Sequence, residues 1–195
     1  MISSPFLVRA LTSSEEYRQF FLFAGEIFIG QPVQENAARW QERTLADPDL
    51  RPEHVRAAFR DDQLVGGYLL SERQMRMGAA RIPTVCVSAV FAHPAYRQQG
   101  IATALMRDAI SFATAHQSAF LLLDGIPKFY YRYGYTDVFD LSSHLIDRAA
   151  ILAQKKSTNV VRAVTLDDTE AILALYDRQY GSYTGSCARS LDQQR

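Results

Sequence analysis

Absences narrow this sequence before any motif does. Its 195 residues hold two cysteines, Cys86 and Cys187, far apart and without metal-ligand spacing, so neither a disulfide framework nor a metal site organises the chain. Charge of one sign is not in excess. Lys+Arg and Asp+Glu stand at 21 each, and no global field draws the protein to nucleic acid or to an anionic membrane. No run approaches the ~20 apolar residues of a membrane span, and Met1 to Ala10 has neither a basic start nor an apolar stretch of signal length. Gly-x-x-x-x-Gly-Lys-Ser/Thr and Gly-x-Gly-x-x-Gly are both missing, which argues against a nucleotide-binding module of either common kind. The expectation is a soluble, cytoplasmic protein with reduced thiols, and 48% hydrophobic residues suffice for one full core and some remainder.

What is present changes period at one place. Val87 to Ala92 is small and β-branched, as suits a buried strand, whereas from Ile101 the apolar residues recur at Leu105, Ala109, Phe112 and Ala113, as on one helical face. Arg97-Gln98-Gln99-Gly100-Ile101-Ala102 joins the two. At such a junction successive amides lack helical partners and the helix dipole favours an anion, while Gly100 and Ala102 keep side-chain bulk away from the backbone. Alone, this is also how any strand meets a helix. A second stretch follows: Ala119 to Leu123 as a strand, then Ile126-Pro127-Lys128-Phe129-Tyr130-Tyr131-Arg132-Tyr133-Gly134-Tyr135.

Around these the chain reads as a first strand at Phe6 to Leu11, a helix capped in Thr12-Ser13-Ser14-Glu15-Glu16, and a turn at Gly30-Gln31-Pro32. A second helix runs from Gln34 to Leu45 and is stopped by Asp47-Pro48. Val55 to Arg60, a turn at Asp61-Asp62-Gln63, and Leu64 to Leu70 form a hairpin, continued through a turn near Met77-Gly78-Ala79 into the central strand at Thr84 or Val85. Asp137 to Leu141 and His144 to Ile146 read as last strands. Val161-Arg162-Ala163-Val164-Thr165 then echoes Val8-Arg9-Ala10-Leu11-Thr12, an internal repeat that predicts a strand at Val160 to Val164 and a helix from Asp167 to Tyr180. About thirty-five residues remain from there, too few to bury a second core.

The two central stretches resemble the signatures of the GNAT (Gcn5-related) N-acetyltransferase family. Arg97-x-x-Gly100-x-Ala102 is similar to its acyl-CoA motif Arg/Gln-x-x-Gly-x-Gly/Ala, and Tyr130 with Gly134-Tyr135 is similar to its Tyr-x-x-x-Gly-Phe/Tyr signature. The resemblance covers roughly Leu7 to Asp147, and Gly125-Ile126-Pro127 with Phe129-Tyr130 looks most like the Eis-like branch of tandem GNAT proteins. It implies an α/β (α+β) fold whose mixed, mostly antiparallel sheet is flanked by helices. A GNAT domain would span 1–147, a connector 148–159, and an incomplete second GNAT-like domain 160–195, whose apolar face at Ile172, Leu173, Leu175 and Tyr176 would pack on the first domain or, in a homo-oligomer, on another copy of the chain.

It also implies acetyl-CoA as cosubstrate, no metal, and a small-molecule or peptide amine as acceptor. Backbone groups of Val90, Phe91 and Ala92 would align the pantetheine arm. The turn from Arg97 through Gln98, Gln99, Gly100, Ile101, Ala102 and Thr103 would hold the diphosphate, and Tyr130 would be the general acid. Glu26 and Trp40, between the first helices, and Asp124, after the fifth strand, are candidates for the acceptor pocket. As base, Glu26, Asp124 and His93 stay open together. Eis-like proteins would use the final carboxylate of a C-terminal domain, a role Arg195 should not inherit. A CoA-binding or regulatory module without turnover is the competing reading.

Overall fold

The computed structural model describes residues 6–29, 31–139, 145–152, 158 and 160–194. In chain order they form β1 (Leu7–Ala10), α1 (Ser14–Phe28), α2 (Val33–Leu45), β2 (Val55–Arg60), β3 (Gln63–Met77), β4 (Ala80–Ala92), α3 (Ile101–Ala115), β5 (Phe120–Leu123), α4 (Arg148–Leu152), α5 (Thr169–Tyr180), β6 (Cys187–Ala188) and α6 (Leu191–Gln194). The sheet order is β1-β2-β3-β4-β5, antiparallel through β4 and parallel between β4 and β5, with β6 pairing the far end of β3. This is the mixed, mostly antiparallel sheet expected from the sequence.

One helix covers each face. Phe20, Phe21 and Ala24 of α1 pack with Ala57, Phe59, Leu69 and Phe91 on one side, and Ile101, Leu105, Met106, Ala109 and Phe112 of α3 pack with Val65, Leu70, Val85 and Val87 on the other. Burying a side chain such as Phe20, which is fully enclosed, stabilises by about 1.5–3 kcal/mol, and these two stripes hold the layers together. Gly66 and Gly67 let both helices close in. A Cβ on Gly66 would stand 2.7 Å from Ile101 at the start of α3, and one on Gly67 would stand 2.5 Å from the Phe20 ring. The N-terminus of α3 is thereby held against the sheet. Lower in the helix, Asp108 accepts from Arg56 Nη2 at 2.9 Å and from the Tyr68 hydroxyl at 2.6 Å, which fixes the helix against sliding.

Several expectations change. The turn and the central strand merge into one thirteen-residue strand, β4, because Thr84 and Val85 continue the ladder opened at Ala80. After β5 the second stretch forms a 3-10 turn, Tyr130–Tyr133. Asp137 to Phe139 is not a strand: Asp137 accepts a hydrogen bond from the Tyr131 hydroxyl instead of joining a ladder, and Val138 and Phe139 are exposed. Leu145 and Ile146 are likewise exposed and in no strand, while Asp140, Leu141 and His144 of the expected strands, and also Gly30 and Arg195, lie outside the described residues.

The tail helix forms at Thr169–Tyr180, but Val160 to Val164 does not become a strand and Val161 is 94% exposed. A strand needs a neighbour to accept its ladder, and among the described residues none lies beside it. The repeat nevertheless reaches the side chains. Arg9 forks onto Glu16 at 2.7 and 3.1 Å and donates to Ala10 O at 3.0 Å, while the Thr12 amide and hydroxyl donate to the same carboxylate. Arg162 forks onto Asp168 at 2.6 and 2.7 Å and donates to Ala163 O at 2.9 Å, with the Thr165 amide and hydroxyl again donating to the carboxylate. The tail helix is joined to the sheet through Asp177, whose carboxylate accepts from the buried Arg76 at 2.6 Å.

Candidate functional site

β4 and β5 run together for only four residues. Thr84 to Val87 pair with Phe120 to Leu123, after which β5 ends and the chain turns away at Asp124 and Gly125. β4 continues to Ala92. Along Ser88 to Ala92 the backbone groups on the side away from β3 therefore meet no strand among the described residues, and such groups need partners from elsewhere. A bulge widens the gap: Gly67 faces Phe91 and Leu69 faces Ser88, so two steps on β3 span three on β4, and Ala89 takes up the extra residue at φ +50°. Val90 and Ala92 are half-buried against the α3-side core, whereas Phe91 is spent on the opposite core, its ring 5.1 Å from Phe20. Only the backbone of Phe91 is left for a ligand.

At the open end of β4, His93 N donates to Val65 O at 2.8 Å, and His93 Nδ1 accepts from Ala95 N at 3.3 Å, which makes this histidine the cap of the next turn. Gln98 (φ +61°) and Gly100 (φ +92°) then bend the chain into α3. The first helical hydrogen bond runs from Ala104 N to Gly100 O, leaving the amides of Ile101, Ala102 and Thr103 without intrahelical acceptors. Nothing would lie within 4 Å of a Cβ on Gly100, so the space outside this turn is open to an anion. Arg97, Gln98 and Gln99 are exposed there, and Gln99 Oε1 accepts from Arg60 Nη1 at 2.7 Å. Arg60 beside this turn had no sequence signal of its own; only the β2–β3 hairpin brings it in.

Tyr130 opens the 3-10 turn after β5. Its ring packs against the same core cluster as Val90 and Ala92, with Phe129 at 5.0 Å and Tyr135 at 5.9 Å between ring centres. Gly125 lies under the ring: a Cβ there would approach Tyr130 Cε2 to 2.6 Å. Burial first, and the neighbouring Tyr133 second, push the Tyr130 hydroxyl above its ordinary pKa, so it is protonated at neutral pH. Among the described residues that hydroxyl makes no hydrogen bond, and its proton is available. The Tyr135 hydroxyl is also pushed up by burial, but it is enclosed and without a partner.

The three acceptor-pocket candidates are scattered by comparison. Glu26 is exposed near the end of α1; Trp40 is half-buried, edge-on to Phe21 at 5.5 Å and to Phe28 at 6.5 Å; Asp124 is exposed after β5. None shares a hydrogen bond, ion pair or ring contact with Tyr130. Phe23, one turn before Glu26, does reach the open end of β4, with its ring 5.1 Å from His93. A polar cavity of about 420 Å³ lies at the other end of the sheet, walled by Glu72, Arg73, Thr84, His116, Ala188 and Gln193. Its polar groups already have partners, Arg73 with Asp47 at 3.1 Å and Glu72 with His116 at 2.6 Å, which makes it a seam under the tail. Among the described residues no cluster of three or more His, Cys, Asp or Glu could hold a metal ion, and no helix is long and apolar enough to cross a membrane.

A strand pair that splits beside a bulge, an open helix N-terminus after it and a protonated tyrosine packed on the same core can be compared with known proteins. Solved structures with this fold include a probable N-acyltransferase of Enterococcus faecalis, at 19% identity and TM-score 0.67 over 95% of this chain and 46% of that one. Eis1 of Mycobacterium abscessus matches at 19% identity and TM-score 0.64, over 97% of this chain and 46% of that one. The aminoglycoside N-acetyltransferase AAC(6')-Iy, in complex with CoA, matches at 17% identity and TM-score 0.56 over 72% of this chain and 94% of that one. This chain thus spans less than half the length of the first two. No curated protein matches its sequence. The model of the acetyltransferase (GNAT) domain matches residues 8–138, two thirds of the 195 residues and the part that holds the split, the turn and Tyr130. The chain belongs to the GNAT acetyltransferase family.

Proposed function

We propose that the protein is an acetyl-CoA-dependent N-acetyltransferase acting by direct transfer to a primary amine of a small molecule or peptide. The observation that carries this reading is the edge of β4 from Ser88 to Ala92, which among the described residues pairs with no strand on the side away from β3, and which leads through the turn into the open amides of α3 while Tyr130 packs on the same core as Val90 and Ala92. Bound acetyl-CoA supplies an activated thioester. The amides of Gln98 to Thr103 hold its diphosphate, and the backbone of Val90 to Ala92 aligns the pantetheine arm and receives the developing oxyanion. As the amine forms its C–N bond and the C–S bond breaks, Tyr130 gives its proton to the departing sulfur. The amine proton goes to a base, for which Glu26, Asp124 and His93 are the candidates.

Residues 160–195 are read as the beginning of a second copy of the same fold. The support is the repeated Arg–carboxylate–Thr network at Arg9 and Arg162, built on the same residue types in the same order. The test is thiol release from acetyl-CoA with neamine, spermidine and a lysine-containing peptide as acceptors. Turnover with at least one amine is the expected result. Acetyl-CoA binding with no turnover on any of them would leave a CoA-binding module in its place.

A further inference from the structure

Tyr130 has a placement problem that its own hydroxyl does not solve. A general acid must sit within hydrogen-bond reach of the atom it serves, yet this hydroxyl is tied to nothing among the described residues, and the turn that bears it follows a four-residue strand through the exposed stretch Asp124 to Lys128. Ring packing on Gly125, Phe129, Tyr135 and the α3-side core limits where the ring can lie. Apolar packing is non-directional, however, and does not by itself set the position of a hydroxyl. A directed polar contact to another element would fix that register.

The polar side chains of the turn can be followed one by one. Tyr131 donates to Asp137, and Arg132 Nε donates to Phe129 O at 3.0 Å, both within the loop. Among the described residues, Tyr133 is the one of these whose side chain hydrogen-bonds to another element: its hydroxyl and Thr103 Oγ1 lie 3.1 Å apart in a partly buried hydrogen bond. Thr103 stands in the first turn of α3, and its amide is one of those left open at the helix N-terminus. The helix in turn is locked to the sheet through Asp108, Arg56 and Tyr68.

We infer that Tyr133 is a positioning residue for acetyl transfer, its hydrogen bond to Thr103 holding the Tyr130 turn in register with the anion-binding turn of α3. The inference rests on the proposed function. It has a chemical consequence: the thioester sulfur and the diphosphate belong to one extended molecule, so the acid must keep a set distance from the phosphate site. The Tyr133–Thr103 bond is the direct link between the two turns. Losing it leaves the phosphate site intact and lets the acid drift, and a misplacement of the order of 1 Å costs up to about 10²-fold in rate.

The experiment compares Tyr133→Phe, Thr103→Val, the double variant, Thr103→Ser and Tyr130→Phe in thiol release from acetyl-CoA, with whichever of neamine, spermidine and the lysine peptide turns over fastest. Acetyl-CoA Kd by calorimetry and Tm accompany each. Tyr133→Phe and Thr103→Val should each lower kcat about three- to thirtyfold with Kd within about twofold of wild type. The double variant should be no worse than either single one, because both remove the same bond, and Thr103→Ser, which keeps the hydroxyl, should lose less kcat than Thr103→Val. Unchanged kcat in Tyr133→Phe, beside a strong loss in Tyr130→Phe, overturns this inference alone. So do additive losses in the double variant, or a loss confined to Kd. A silent Tyr130→Phe, or no turnover by wild type, overturns the functional reading and this inference together.

Discussion

The two halves of β4 share one strand and one antiparallel partner, yet they do opposite things. From Thr84 to Val87 the strand has β3 on one side and β5 on the other, with Val85 fully buried. From Ser88 to Ala92 it keeps β3 but has no strand on the second side among the described residues, and a bulge falls at Ala89. The closed half spends its backbone on stability. The open half holds its backbone back, and its side chains are correspondingly plain: Ser, Ala, Val, Phe and Ala. The proposed ligand site is thus made chiefly by omission of a strand, and its proposed chemistry comes from the start of α3 and from Tyr130.

The contrast can be broken most strongly at Tyr130. Tyr130→Phe should lower kcat by about 10²–10⁴-fold with acetyl-CoA affinity unchanged, since the hydroxyl acts only as charge builds on sulfur; steady-state kinetics beside calorimetry read both numbers. Next comes the phosphate turn. Ala102→Glu puts a carboxylate among the open amides, where like charges cost several kcal/mol, so acetyl-CoA affinity should fall about 10²-fold or more and the thermal shift with acetyl-CoA should vanish. Gly100→Val should also abolish that shift, with added backbone strain at φ +92° of about 1–3 kcal/mol.

In the closed half the effects should reverse. Val85→Ala removes buried methyl groups between the helical layer and the sheet, and should cost about 1–3 kcal/mol in denaturant unfolding while leaving acetyl-CoA affinity as it was. A loss of affinity there would mean that the halves are not independent. The smallest effect concerns β1, far from the split. Hydrogen bonds from Arg9 hold the Glu16 carboxyl down at about 2. Because the folded pKa is depressed, its stabilising contribution is complete above the ordinary glutamate value of about 4.3 and fades as pH falls toward 2. The Tm difference between wild type and Glu16→Gln should therefore be a few degrees at pH 6 and disappear near pH 2.

Much of this was legible in the residues, for local reasons. The α3 junction is written in Gly100 and the apolar spacing after it, and the Tyr130 turn in its closely spaced tyrosines and Gly134. The cap of α1 is equally local, with Ser13 Oγ accepting from Glu16 N at 3.2 Å. Features that depend on distant partners were not legible. Val160 to Val164 has the composition of β1 and the same Arg–Thr–carboxylate network, but β1 becomes a strand because Val8 to Ala10 meet Ala58 to Arg56 on β2. Its counterpart has no such neighbour. The strand expected at Asp137 failed for the same reason, and the Tyr133–Thr103 bond spans thirty positions that no periodicity connects. Glu26, Trp40 and Asp124 show the limit from the other side, since residue type alone proposed them and no contact joins them to Tyr130.

The most direct test of the account is a crystal structure of this chain with acetyl-CoA. It predicts diphosphate oxygens on the amides between Gln98 and Thr103, the pantetheine arm along Val90 to Ala92, and the thioester sulfur within hydrogen-bond reach of the Tyr130 hydroxyl. Acetyl-CoA lying elsewhere, or a sulfur facing away from Tyr130 with the split of β4 and β5 left empty, would contradict it.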